Sequence, residues 1–414
     1  MQKTYLTNDI PVVVKTNKNT PRIALSFYFT INNPEKKAGI YTILNRLFMQ
    51  GTKNRTSEQL AKELDENAIE IYSEMKHDFI RFKLLCLNED FNLALEILED
   101  IIKNSHFELF DKEVAKLKGE IEAELDSPKT KALDNYYRKL FEGHYYGNTY
   151  TKIMEEIDSI AREDIISAYN DIINFSSKNI CTVGDIETAK AVEILENHFS
   201  SLPTNIKNDG NLNSPILNKN KVSVIEKEDA SQAQIIQGWI FPDLHSKHYP
   251  AIILINTILG SSGLSSRLFL ELREKQGLAY VVRSSYEAFK YSASFSVYIA
   301  TEPQNIEVSL LGFTKEIEKI KNELVSDDEL EAAKNNIIGK RQFFTETNIL
   351  QASLIGLYES ENLGYDYEEK LIQSIKDLTK EEINEVAKTY FNKPNVLSVL
   401  APKKYLSLLK DGIL

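Results

Sequence analysis

The chain has 414 residues, 42% hydrophobic and 27% charged, which is the make-up of a globular protein of two or more domains. Its 49 Lys and Arg against 61 Asp and Glu leave a net charge of −12, which argues against nucleic acid as the main partner. No apolar run reaches the roughly 20 residues a membrane helix needs, and the best candidate, PAIILINTILG, is half that length.

The N-terminal stretch MQKTYLTNDIPVVV has no signal-peptide core, so the chain reads as cytoplasmic. A strand, RIALSFYFTI, comes first. Residues 39–52, GIYTILNRLFMQGT, then place Ile40, Ile43, Leu44, Leu47 and Phe48 on one helical face and stop at Gly51-Thr52. The helix SEQLAKELDENA, the strands IEIYSEM and FIRFKLLCL, and the helices FNLALEILEDIIKN and KEVAKLKGEIEAEL follow. Residues 203–220, rich in Asn, Ser, Pro, Gly and Lys, form a linker between domains expected at 1–202 and 221–414. The second half runs strand QAQIIQGWIF, helices YPAIILINTILG and SSRLFLELREKQ, strands LAYVVRSSYEA and SASFSVYIA, and two further helices. That order repeats the first half at an offset of roughly 210 residues. The expected class is α+β: two similar domains, each a largely antiparallel sheet with helices packed on one face.

Few residues suggest chemistry. Cys86 and Cys181 each sit in a short apolar strand and read as buried free thiols. Of six histidines, His77, His106, His144 and His198 are isolated. His245 and His248 have HxxH spacing but no nearby acid in helical register, so they read as solvated loop histidines. HxxEH, GxSxG and GxxxxGK[ST] are absent, and the loop GSSGLSSR (260–267) lacks the lysine of a phosphate cradle. In the first buried helix Thr42, Asn45 and Arg46 stand at the spacing of metal ligands, although none is a usual ligand. In SSRLFLELREKQGLAYVV, Arg273 ends a helix and Tyr280 lies on the next strand, with Gly277 permitting the turn. A guanidinium and a phenol so placed can both donate to one carbonyl oxygen. The plain alternative is an Arg on a solvated helix end and a Tyr half-buried in a strand.

Together these stretches resemble the pitrilysin/insulinase family of zinc metallopeptidases. GIYTILNRLFMQGT is similar to the family's zinc helix, G-x-x-H-F-L-E-H-M-x-F-x-G-T: Gly39, Leu44, Gly51 and Thr52 match. Thr42 and Arg46 fall on the two zinc histidines and Asn45 on the catalytic glutamate. In KEVAKLKGEIEAELDSP, Glu113 and Glu120 have the spacing of the family's paired glutamates, and Glu120 matches the third zinc ligand. EGHYYGNTY, with His144, Tyr145 and Gly147, looks like the family's HPYG stretch, and SSRLFLELREKQGLAY matches the family's Arg/Tyr segment nearly letter for letter.

The resemblance implies two αβ-roll domains and a chain with no catalytic residues or bound metal of its own. Asn45 cannot act as a general base, and Arg46 repels a metal ion and is expected to pair with Glu120 instead. Arg273 and Tyr280 would bind the scissile carbonyl. Zinc would sit in a homologous HxxEH-bearing partner, each subunit forming half of a peptide-degrading chamber. A peptide would add as a strand at the edge around Ile69–Ser73. The alternative is an inactive scaffold of the same fold. An isolated chain could also form a homodimer, and a self-sufficient peptidase would need an unorthodox metal site.

Overall fold

The computed structural model describes residues 1–206, 213–406 and 409. Eleven strands are found among them: β1 (Gln2–Tyr5), β2 (Pro11–Thr16), β3 (Arg22–Thr30), β4 (Glu70–Met75), β5 (Phe79–Leu87), β6 (Lys178–Gly184), β7 (Lys221–Glu226), β8 (Ala233–Phe241), β9 (Ala279–Ala288), β10 (Ala293–Thr301) and β11 (Asn395–Ala401). The helices of the first half are α1 (Ile40–Leu47), α2 (Ser57–Glu66), α3 (Phe91–Asn104), α4 (Phe110–Leu125), α5 (Pro128–Leu140), α6 (Tyr150–Glu156), α7 (Arg162–Phe175) and α8 (Thr188–Phe199). Those of the second half are α9 (Tyr249–Asn256), α10 (Ile306–Asn322), α11 (Asp327–Phe343), α12 (Asn348–Ser360), α13 (Tyr367–Asp377), α14 (Lys380–Phe391) and α15 (Lys403–Leu406). Local chemistry accounts for several starts. Thr56 and Gln59 make a reciprocal cap on α2, Thr379 and Glu382 do the same on α14, and Ser127 caps α5 with Pro128 in its first turn.

Each half builds one sheet. The first has the order β1-β2-β6-β3-β5-β4 and the second β7-β11-β8-β10-β9. In each, one pair is parallel, β2 with β6 and β7 with β11, and the remaining pairs are antiparallel. The two sheets are therefore one design used twice, with β1 as an extra strand on the first. The fold class is α+β, as the order of elements predicts.

The compact units do not follow the linear halves. Unit 1 gathers Met1–Glu120, a stretch running on from Ile153, and Gln342–Glu368. Unit 2 gathers Ile121–Lys152, most of the second half, and Glu369 onward. Each half thus gives one helix to the other's sheet: α12 packs on β3 and β6, and α5 packs on β8 and β11. A linear boundary near 202 misses this exchange, and residues 207–212 of the expected linker lie outside the described residues.

The exchange explains why the central strands are buried on both faces. On β3, Phe27 and Phe29 pack with Phe199 and Phe82, on the side of the main helical layer. The alternate residues Ala24, Ser26 and Tyr28 meet α12. There the Tyr28 hydroxyl donates to the Ser353 carbonyl (2.6 Å) and Asn179 Nδ2 to the Gly356 carbonyl (2.9 Å). On unit 2, the Tyr136 hydroxyl of α5 bonds Ser294 Oγ (2.8 Å), and Tyr137 donates to Glu287 Oε2 (2.6 Å).

Glycine permits each close approach. A Cβ on Gly356 would lie 2.6 Å from the Tyr28 ring, and one on Gly238 would lie 2.0 Å from the Tyr136 hydroxyl and 2.7 Å from the Phe295 carbonyl. Tyr136 and Gly356 are the ninth residues of α5 and α12. Tyr28 and Gly238 each lie opposite the second residue of β6 or β11. The same two positions therefore hold a tyrosine and a glycine in both units, with the assignment reversed.

Candidate functional site

Arg46, in the last turn of α1, is held on two sides by α4. Its Nε donates to Glu113 Oε2 (2.9 Å), and Nη1 and Nη2 donate to the two oxygens of Glu120 (2.8 and 3.0 Å). A bidentate fork of this kind matches guanidinium to carboxylate geometry. Glu113 is buried, whereas the Glu120 side chain is half-exposed. The hydrogen bonds Arg46 donates hold the Glu120 carboxyl below its usual range, and those it gives to Glu120 and Glu113 raise its own value. The Arg46–Glu120 contact expected from the sequence is present. The second partner, Glu113, was visible only as a spacing of seven.

Asn45 is committed elsewhere. Its Nδ2 donates to the Ser73 carbonyl (3.4 Å), and Ser73 Oγ donates back to the Asn45 carbonyl (3.3 Å) and to Oδ1. Ser73 belongs to β4, the outermost strand of its sheet. Thr42 lies one turn earlier on α1. A hydroxyl, an amide engaged by Ser73 and a cation bound to both glutamates do not fit zinc. Among the described residues, no group of three or more His, Cys, Asp or Glu side chains forms a metal site.

Arg273 and Tyr280 are brought together in unit 2. Arg273 lies in a π-helical segment, Phe269–Lys275, where the sequence suggests an ordinary helix. Its guanidinium is 4.8 Å from the ring centres of both Phe269 and Tyr280, a cation–π sandwich. Arg273 Nη1 donates to the Tyr280 backbone carbonyl (2.6 Å). Tyr280 is 76% exposed and stands where β9 slips register against β10, since Ala300 faces Val281 but Thr301 faces Ala279. A bulge on an outer strand re-aims a side chain, which is how this phenol comes to project.

The other candidates have structural partners. His248 Nδ1 bonds the Tyr390 hydroxyl (2.9 Å) and His245 Nδ1 bonds Asp243 (3.2 Å). His144 accepts from the Tyr146 backbone N–H (3.2 Å) and opens the short 3-10 turn Tyr145–Gly147. Cys86 and Cys181 are free and buried, and burial pushes the Cys86 thiol up to about 12. No helix among the described residues is long and apolar enough to cross a membrane.

Sequence and structure comparisons agree with this architecture. The model for the insulinase family, peptidase M16, matches residues 12–152, and that for the peptidase M16 inactive domain matches 159–337. A Rickettsia felis protein described as an uncharacterized zinc protease is 27% identical over 410 residues, covering 96% of this chain and 95% of its own. A Mycobacterium leprae protein of the same description is 25% identical over 369 residues, covering 88% of this chain and 83% of its own. In fold, a peptidase M16 inactive domain structure from Pseudomonas fluorescens aligns with a TM-score of 0.89 at 21% identity, over 97% of this chain and 98% of that one. A protease structure from Helicobacter pylori aligns at 0.88 and 21% identity, over 97% and 99%. This chain, whose first buried helix carries Thr42, Asn45 and a salt-bridged Arg46, belongs to the insulinase family, peptidase M16.

Proposed function

We propose that this chain is the substrate-binding subunit of a heterodimeric zinc peptidase of the cytoplasm, contributing half of a peptide-degrading chamber. One observation carries the reading: Arg46 fills the metal position while Arg273, in the π-helical segment, stands against Tyr280 on an outer strand. A homologous partner bearing HxxEH supplies zinc, activated water and the general base. This chain supplies two hydrogen-bond donors for the peptide carbonyl, whose oxygen gains negative charge as the tetrahedral intermediate forms. In the resting chain Arg273 donates to the Tyr280 carbonyl, and a substrate carbonyl takes that place.

Affinity purification from native cells, with mass spectrometry of what co-purifies, tests the partner. The expected result is a near-stoichiometric HxxEH-bearing homologue of similar length. In the complex, Arg273→Ala lowers kcat by about 10²–10³, the usual loss for one oxyanion donor, while assembly is unchanged. An unchanged kcat removes Arg273 from this role.

The second reading is a scaffold of the same fold. It is favoured by the fact that the Arg273 guanidinium is already satisfied within the chain, by two rings and a carbonyl. A partner without HxxEH, or two copies of this chain alone, selects it.

A further inference from the structure

Asn45 occupies the position of the family's general base, yet its side chain is not idle. It exchanges hydrogen bonds with Ser73, the third of them from Ser73 Oγ to the Asn45 amide oxygen. Unit 2 makes the same connection. Ser284 Oγ on β9 donates to the Asn256 carbonyl (2.9 Å) and to Asn256 Oδ1 (2.7 Å), Asn256 being the last residue of α9. Both Asn–Ser pairs span 28 residues. They are displaced by 211 residues, one more than separates Tyr28 from Gly238 on β3 and β8. At the same displacement Thr42 corresponds to Ile253 and Arg46 to Thr257. Of the three altered zinc-helix positions, only Asn45 therefore matches its counterpart in the other unit.

We propose that Asn45 is a positioning residue that holds β4 ready to pair with the backbone of an extended peptide, with Asn256 the equivalent latch on β9. The proposal rests on the peptide-binding reading above. An outer strand has ladder bonds on one side only, so its free edge is soft unless side chains tie it down. A peptide that adds as a strand must otherwise meet the cost of ordering both chains, and a pre-ordered edge leaves only its own. The occupant goes to β4 rather than β9 because of register. β4 pairs with β5 without interruption from Glu70↔Leu85 to Met75↔Ile80, whereas β9 is bulged at Tyr280 and has Arg273 on that carbonyl. The recognised class is the main chain of an unfolded segment. An amide suits the task because it donates and accepts at once, and Glu here would add a methylene and a charge against Ser73.

The test uses the full chain and a fluorescein-labelled, unstructured 15-residue peptide of Ala, Leu, Lys and Ser, read by anisotropy. A second peptide is N-methylated at every backbone nitrogen, so neither edge can donate. Backbone hydrogen exchange on β4 is followed in parallel. We expect the unmodified peptide to bind and the methylated one not to. Asn45→Ala and Ser73→Ala should each weaken binding about five- to tenfold, the scale of one or two side-chain hydrogen bonds, and speed exchange on β4 with the circular dichroism spectrum intact. Asn45→Asp, which still accepts from Ser73 but cannot donate to its carbonyl and sets a charge against it, should weaken binding as the Ala variants do. Wild-type affinity in both Ala variants, with the methylated peptide still excluded, overturns the latch and leaves the peptide reading standing. If wild type binds neither peptide, the peptide reading fails. The latch is then judged by exchange alone, and unchanged β4 protection in the Ala variants overturns it too.

Discussion

The two units share a topology and differ in who carries the bulk. In unit 1 the sheet offers Tyr28 and the incoming helix makes room with Gly356; in unit 2 the helix offers Tyr136 and the sheet makes room with Gly238. Either arrangement fills the space. Crossing them does not: α5 on the first sheet would set Tyr136 against Tyr28, and α12 on the second would leave two glycines facing a void. The reversed assignment therefore selects the exchanged pairing over the sequence-local one, a specificity obtained by clash and cavity rather than by stronger attraction. The Asn45–Ser73 and Asn256–Ser284 pairs teach the complementary lesson, since there the units agree and either could serve as template for the other.

The most disruptive way to break the comparison is to give unit 2 the assignment of unit 1. Gly238→Tyr alone drives a ring into Tyr136, and Tyr136→Gly alone opens a cavity of the kind that costs about 3–5 kcal/mol. The double variant should lose less than the two singles combined, by about 1–3 kcal/mol in denaturant unfolding. Strict additivity would end the argument for knob and hole. Next in size is Arg46→Ala, which strips the buried Glu113 of the guanidinium that pairs it. Leaving one member of such a pair buried typically costs about 3–5 kcal/mol, while the matching Thr257→Ala in unit 2 should cost far less.

Lys178 sharpens the comparison in the other direction. It opens β6 where unit 2 opens β11 with Asn395, it is almost fully buried, and its Nζ donates to the Ser176 carbonyl (3.1 Å). Burial lowers its value from 10.5 to about 8. The folded chain thus releases this proton before the unfolded chain does, and folding is penalised below about pH 8. The penalty fades as pH rises from about 8 to 10.5. Lys178→Met should raise the unfolding free energy at pH 7 by about 2–3 kcal/mol, and the gain over wild type should vanish above pH 10.5. A gain that persists there assigns the effect to packing. The smallest effect is that of Glu120→Gln. Its half-exposed side chain makes the fork with Arg46 a surface contact, worth less than about 1 kcal/mol, and most of that should disappear in molar salt.

Much of the architecture was legible in residue order. RIALSFYFTI, FIRFKLLCL and FNLALEILEDIIKN declare their elements by apolar period and β-branched content, and they appear as β3, β5 and α3. The Arg46–Glu120 pairing could be anticipated because the family resemblance put both residues on ligand positions of one zinc ion, with a cation now on one of them. The helix exchange could not. ILQASLIGLYES says that α12 is apolar on more than one side, but periodicity does not say which sheet it covers. Gly238 and Gly356 are silent for the same reason, since a glycine reports that something approaches without saying what. The bulge at Tyr280 and the π-helical turn around Arg273 depend on one extra residue in an otherwise regular run, which pattern reading does not resolve.

The exchange also sets a timetable for synthesis. The last strand of the first sheet ends at Gly184, but the helix that covers its second face begins only at Asn348. At roughly 5–20 residues per second a ribosome needs on the order of ten seconds or more to bridge that interval. Throughout it, the face bearing Ala24, Tyr28, Cys181 and Val183 has no helix from its own chain to meet. The nascent protein therefore passes through a stage in which its earliest-made sheet is a client for holding chaperones, and a chain truncated before α12 should remain one.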